Sequence, residues 1–351
     1  MRTLSTNTPS SNNRVSVYEW MRIIGTIFVV IGHSGYLYIS TKFGGINYAL
    51  PAQLSQQPFY RIIENLVVYV YGFHMPLFFF LSGAVLHLKP LKSFKKFVSG
   101  KAKRLLIPYV LVGLLFMFPI KYLTGFYKGK EIINAISYFF VSTYESGHLW
   151  FLPALFICMT VFAVMIKILQ RFKWYNEYVL LFISFVLQYG NELIISTEFL
   201  GINKVFSYIF WFALGYYFET IRKKPSFIQA LFLSISYIIL TYMDQKCLIL
   251  PIQIRIVFNC VGIYFVSELL SMIFYKLEET KGYKVFVRNL FNIYLFHDPL
   301  EYIILKMFME HNWLNNTLGC YIYHFCRIVV VIIVSILLGE IISAISAKLK
   351  N

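Results

Sequence analysis

Apolar residues gather in long runs separated by short polar connections, and runs able to cross about 30 Å of hydrocarbon fall at 17–40, 62–88, 105–124, 149–168, 178–190, 205–220, 227–243, 250–274, 289–308 and 320–346. The pattern predicts an all-α polytopic membrane protein of about ten transmembrane helices, the fifth short. Neither a Gly/Ser linker nor an internal repeat interrupts the runs. One membrane domain over 1–351 is therefore expected, with residues 1–16 as a polar cytoplasmic tail. The first run is not expected to be a cleaved signal peptide: no small-residue cleavage pattern follows it, and His33 would break its apolar segment.

Composition agrees with the runs. The chain is 58% hydrophobic and only 14% charged, with mean hydropathy +0.65, far too apolar for a soluble domain of this length. A net charge of +16 could suggest nucleic acid, but the cations sit in short clusters between spans rather than in one stripe, so a membrane location and no nucleic-acid partner are expected. Counted on alternate connections, one side carries 22 Lys and Arg and the other 8. The positive-inside bias places both termini in the cytoplasm. Segment 89–104, KPLKSFKKFVSGKAKR, reads as a basic cytoplasmic interfacial segment or an ordinary positive loop. The connection 125–148 holds a candidate surface helix. Five cysteines show no CxxC or metal spacing, although Cys247 and Cys320 could pair in an oxidising compartment.

Ionisable residues inside spans change the picture most, because they are costly in a bilayer and usually mark a pathway or reaction centre. Arg22 and His33 lie eleven positions apart, which places them on one helix face about 16 Å apart along the axis. Glu19 and Thr26 extend that face. Further groups are His74, His148, Arg255, His297 with Asp298, and His324 with Arg327, the last pair sharing a face, as do Asp298 and Glu301. No HExxH, GxSxG, Walker or GxGxxG pattern occurs, so protease, hydrolase-elbow and nucleotide-fold readings lack their signatures. A histidine deep in a span, with cations on the same face nearer the cytoplasm, suits acyl transfer from an anionic donor. The imidazole would deprotonate a hydroxyl or carry the acyl group. An exporter or flippase of a glycan intermediate is the competing reading.

The Arg22–His33 pair, with ten residues between, resembles the R-X10-H signature of the membrane acyltransferase family 3. The likeness continues through YEWMRIIGTIFVVIGHS, FHMPLFFFLSG (73–83), KRLLIPY (103–109), GHLWFLPALF (147–156) and NIYLFHDPL (292–300), in the family's order. FHMPLFFFLSG is most similar to the fucose 4-O-acetylase-like and capsule or exopolysaccharide O-acetyltransferase branch. The resemblance implies a bacterial inner-membrane enzyme moving acetyl from acetyl-CoA to a hydroxyl of a surface glycan or its lipid-linked precursor. It implies His33 as the essential histidine, Arg22 as its partner and Glu19 in place of the family's usual Asp. His74, His148, Trp150, His297 and Asp298 are expected near the acceptor. Arg22, Lys101, Lys103, Arg104 and Arg327 are expected to bind acyl-CoA. No metal and no permanently bound cofactor is expected, acetyl-CoA being a substrate, and no SGNH-like extracytoplasmic domain is expected on this chain.

Overall fold

The computed structural model describes residues 11–89, 93–142, 145–191, 201–247 and 250–348. Residues 1–10 of the expected tail, 90–92 of the basic segment, 143–144 of the following connection and the side chain of Cys247 lie outside the described set. The long helices are α1 (Ser11–Ser34), α2 (Pro58–Tyr71), α3 (His74–Leu88), α4 (Phe94–Leu123), α5 (Gly147–Arg171), α6 (Glu177–Tyr189), α7 (Ile202–Ile221), α8 (Phe227–Cys247), α9 (Ile252–Ile273), α10 (Lys281–Glu310) and α11 (Thr317–Lys348).

Each expected span falls mostly on helix. Five of these helices (α4, α5, α8, α9 and α11) are long and apolar enough to cross a membrane, or six if the bent pair α2–α3 is one span. Their outward faces carry Leu115, Leu123, Ile228, Phe232 and Ile341, whereas Arg327, Glu301 and Asp298 lie inside. Apolar surface outside and paired charge within is what a lipid solvent requires.

α1 runs through the centre and packs against α2, α3, α9, α10 and the first half of α11. It stops at Ser34, short of the expected 40, and residues 38–47 instead form a hairpin pairing Tyr38 with Asn47 and Ser40 with Gly45. The expected second span is broken at Gly72–Phe73, where α2 and α3 meet at a 48° bend. α3 and α7 share the closest face in the bundle. A Cβ on Gly83 would stand 1.9 Å from the Phe212 carbonyl oxygen, and one on Gly215 would stand 1.8 Å from that of Phe80. Only glycine permits this approach, the small-residue packing that replaces the hydrophobic effect between helices in lipid.

The basic segment is not a separate interfacial helix. Ser93 caps α4 through the Lys96 amide, and the helix continues unbroken from Phe94 into the apolar run. The expected surface helix of the next connection is Glu131–Tyr138. Two π-helical turns interrupt the long helices, Gly113–Met117 in α4 and Cys326–Val330 in α11. The first lies just before Pro119, whose missing N–H disturbs the ladder. The second carries Arg327.

Candidate active site

The site forms where the end of α1 meets the middle of α10. His33, the penultimate residue of α1, donates from Nδ1 to Asp298 Oδ1 at 2.8 Å. Tyr36 donates its hydroxyl to the same oxygen at 2.9 Å. The other oxygen, Oδ2, takes His148 Nδ1 at 3.1 Å and the Tyr302 hydroxyl at 3.1 Å. Four donors thus converge on one carboxylate. The carboxylate takes the Nδ1–H of His33, so Nε2 is the ring nitrogen outside this cluster. The His33 side chain keeps 16% of its surface exposed, against 2% for Asp298, and it opens on a cavity of about 730 Å³.

Local sequence explains the arrangement. Pro299 has no N–H, so the Leu295 carbonyl four residues earlier loses its helical partner. His148 Nε2 fills that vacancy at 3.1 Å. Both ring nitrogens of His148 therefore face acceptors, which holds the ring in place. Gly147 adopts φ +54, a left-handed conformation that favours glycine. A Cβ there would stand 3.1 Å from Lys121 Nζ and 3.6 Å from Asp298 Oδ2, so this glycine lets the lysine approach the carboxylate.

His297 lies beside the pair, its ring centroid 4.9 Å from that of His33 and 5.0 Å from that of His148. Its Nδ1 donates to the carbonyls of Ile293 and Tyr294, while its buried Nε2 has no partner. His74 donates from Nδ1 to the Val70 carbonyl at 3.0 Å, and both it and Trp150 line the cavity. Among the described residues no group of three His, Cys, Asp or Glu side chains is arranged to hold a metal ion.

Arg327 departs from expectation. It lies wholly buried in an ion pair with Glu301, and donates to the carbonyls of Tyr36 at 3.0 Å and His33 at 2.9 Å and to the Tyr323 hydroxyl. It clamps the end of α1 instead of standing with the other expected acyl-CoA cations, because each guanidinium nitrogen already has a partner. His324, three residues away, takes different partners and packs its ring on Phe59 and Tyr60.

Arg22 sits about three helical turns below His33. Its charged neighbours are Arg104 and Glu19, and Lys101 has Arg104 and Lys89 for company. Lys103 and Arg104 are exposed on the first turns of α4. Glu19 accepts from the Tyr283 hydroxyl at 3.5 Å. The cations thus collect at one end of α1 and the cavity at the other. The cavity wall is built from the hairpin after α1, the α2–α3 break, the start of α5, the end of α6 and the starts of α7 and α9.

Four contributors escape sequence reasoning. Tyr36 and Tyr302 stand three residues after His33 and four after Asp298, helical spacings that could have suggested them. Gly147 was legible only as part of GHLW. Lys121 counts among the loop cations in a topology tally, yet it is buried, its Nζ 4.7 Å from the Phe126 ring centroid and 5.6 Å from that of Tyr302. Beyond the site, buried Glu145 accepts from Thr41 Oγ1, the Phe43 amide and the Tyr127 hydroxyl, tying the hairpin to the connection before α5. Burial first, and then the Glu145 carboxylate, push the Tyr127 phenol well above its ordinary range, so it remains a donor.

The sequence profile described as an acyltransferase domain matches residues 16–343. The chain belongs to acyltransferase family 3. Comparison with curated proteins finds no match, and comparison with solved structures finds none. The matched region takes in most of α1, all of α10 and the whole of the His33–Asp298 site. With its apolar helices, the chain is a membrane acyltransferase. The exporter reading gains no support from these comparisons.

Proposed function

We propose that this acyltransferase moves an acetyl or other short acyl group from acyl-CoA to a hydroxyl of a surface glycan or its lipid-linked precursor. It would do so in a bacterial cytoplasmic membrane, with ten spans and both termini inside. One observation carries the reading: a histidine held through Nδ1 by a buried carboxylate lines a cavity. That is the arrangement of a general base.

In this reading the acceptor enters the cavity and its O–H faces His33 Nε2. The proton moves to Nε2 as the oxygen attacks the thioester carbonyl. The C–O bond forms, the C–S bond breaks, and the CoA thiolate leaves and takes a proton. Asp298 keeps His33 in the productive tautomer and balances the imidazolium that forms. Arg22, Lys101, Lys103 and Arg104 hold the CoA phosphates at the opposite end of α1, as cations hold phosphate elsewhere. The pantetheine arm then spans the intervening 16 Å or so of helix. His33→Ala should abolish acetyl-CoA-dependent acetylation of glycans in membranes, scored by mass spectrometry, while the protein still purifies as a single species. Full acetylation by that variant would overturn the mechanism.

A further inference from the structure

We propose that the cavity selects an uncharged sugar unit as acceptor and rejects uronic-acid, sialic-acid and phosphate-bearing sugars. The proposal rests on the acyl-transfer reading for the identity of the cavity as the acceptor site. Its argument is the chemistry of the walls.

Trp150 and Tyr208 stack at 5.7 Å between centroids and 29° between planes, and Tyr208 is backed by Phe79 at 4.9 Å and 6°. The stack makes a rigid flat platform in the cavity wall. An aromatic face carries negative quadrupole density, and it suits the ring face of a sugar, whose C–H bonds are polarised positive by adjacent oxygens. Gln188 and Gln253 supply amide groups on the same wall. The Gln188 carbonyl accepts from the Phe210 amide, so its NH₂ is the group left for a ligand. A few polar groups set among aromatic ones are the usual composition of a site for a neutral polar molecule.

Charge is what the wall withholds. Among the described lining residues there is no Lys or Arg, and the one carboxylate, Asp298, already has four donors. Cations flanking this end are already engaged: Lys121, behind Gly147, interacts with Asp298. Lys42 lies over the Tyr138 ring at 4.4 Å, and Arg255 is paired with Asp244 at 2.5 Å. An anionic sugar would give up its hydration without gaining a counter-ion and would meet the Asp298 charge as well. A neutral sugar would lose only hydrogen bonds that the amides can replace.

Calorimetric titration of the full-length protein in nanodiscs, without acyl donor, tests this. The probes are matched pairs: galactose and galacturonate oligomers, N-acetyllactosamine and its sialylated form, and mannose oligomers with and without phosphate. At least one neutral member should bind, and each anionic member should bind at least tenfold more weakly than its neutral counterpart. Trp150→Ala should abolish that binding, while Trp150→Phe, which keeps an aromatic face, should retain it. Gln253→Lys, at an exposed wall position, should admit the anionic sugar. An anionic member binding as tightly as its counterpart would overturn the proposal, as would no binding by any neutral sugar. The titration needs no acyl transfer. Sugar binding without acetylation would therefore sink the enzymatic reading and leave standing only the cavity's preference for neutral sugars.

Discussion

Asp298→Asn is the sharpest test of the site. The carboxylate accepts four hydrogen bonds, from His33, Tyr36, His148 and Tyr302. A carboxamide accepts at one oxygen only and turns N–H groups toward the donors at the other. Whichever way the amide is flipped, two of the four donors lose their acceptor and oppose another donor. At about 1–3 kcal/mol for each unsatisfied buried donor, the local cost is about 2–6 kcal/mol. If the amide nitrogen faces His33, it donates to Nδ1 and drives the proton to Nε2, removing the lone pair that serves as base. The same change in a serine-protease triad lowers kcat by about 10⁴, and here a fall of about 10³–10⁴ is expected, or roughly 4–5.5 kcal/mol at 1.36 per tenfold. The assay is the initial rate of acetyl transfer at saturating acetyl-CoA by protein in nanodiscs, with monodispersity and melting temperature measured in parallel. A folded Asp298→Asn protein within threefold of the parent kcat would refute the role of Asp298.

Three other outcomes follow from contacts in the bundle. Arg327→Met alone strands the fully buried Glu301 and should cost about 3–5 kcal/mol in thermal stability. Adding Glu301→Leu should recover most of that stability but not activity, since the carbonyls of His33 and Tyr36 still lack their donor; recovery of both would make the pair merely structural. Gly215→Ala forces a Cβ to within 1.8 Å of the Phe80 carbonyl oxygen and should destabilise by about 3 kcal/mol as α3 and α7 part. Unchanged melting would refute the close helix contact. Reversing Lys101, Lys103 and Arg104 to Glu should raise the KM for acetyl-CoA about tenfold or more with little change in kcat, and an unchanged KM would make these charges topogenic only.

The candidate catalytic face was legible because helical geometry is rigid: a spacing of eleven residues puts Arg22 and His33 on one side of α1 whatever surrounds them. HDP in the ninth run was equally informative, although only the fold shows that Pro299 frees the Leu295 carbonyl for His148. What stayed hidden depends on contacts distant in sequence. Arg327 looks like a ligand cation beside His324 until Glu301 and the end of α1 are seen to consume it. Lys121 looks like a loop charge until Gly147 brings it beside Asp298. Arg222, counted among the cytoplasmic charges, pairs with buried Glu219 at 2.6 Å and donates to the Tyr264 hydroxyl at 2.7 Å. A tally of cations cannot tell a charge that faces lipid headgroups from one that holds helices together.

The same physics explains why the helices bearing the site are the least obvious membrane helices. α1 and α10 fall outside the set apolar enough to cross by composition. They carry Glu19 and Arg22, and Asp298, Glu301 and Lys306, respectively. α11, by contrast, is the most apolar of the candidate spans and among the least buried, with Leu318, Leu337, Ile341 and Ile345 facing outward. A helix at the centre of such a bundle touches little lipid and is free to be polar, provided its charges are paired. Low hydropathy in α1 and α10 is therefore a consequence of their central position. The most polar apolar runs, rather than the cleanest ones, are where an intramembrane reaction centre should be sought.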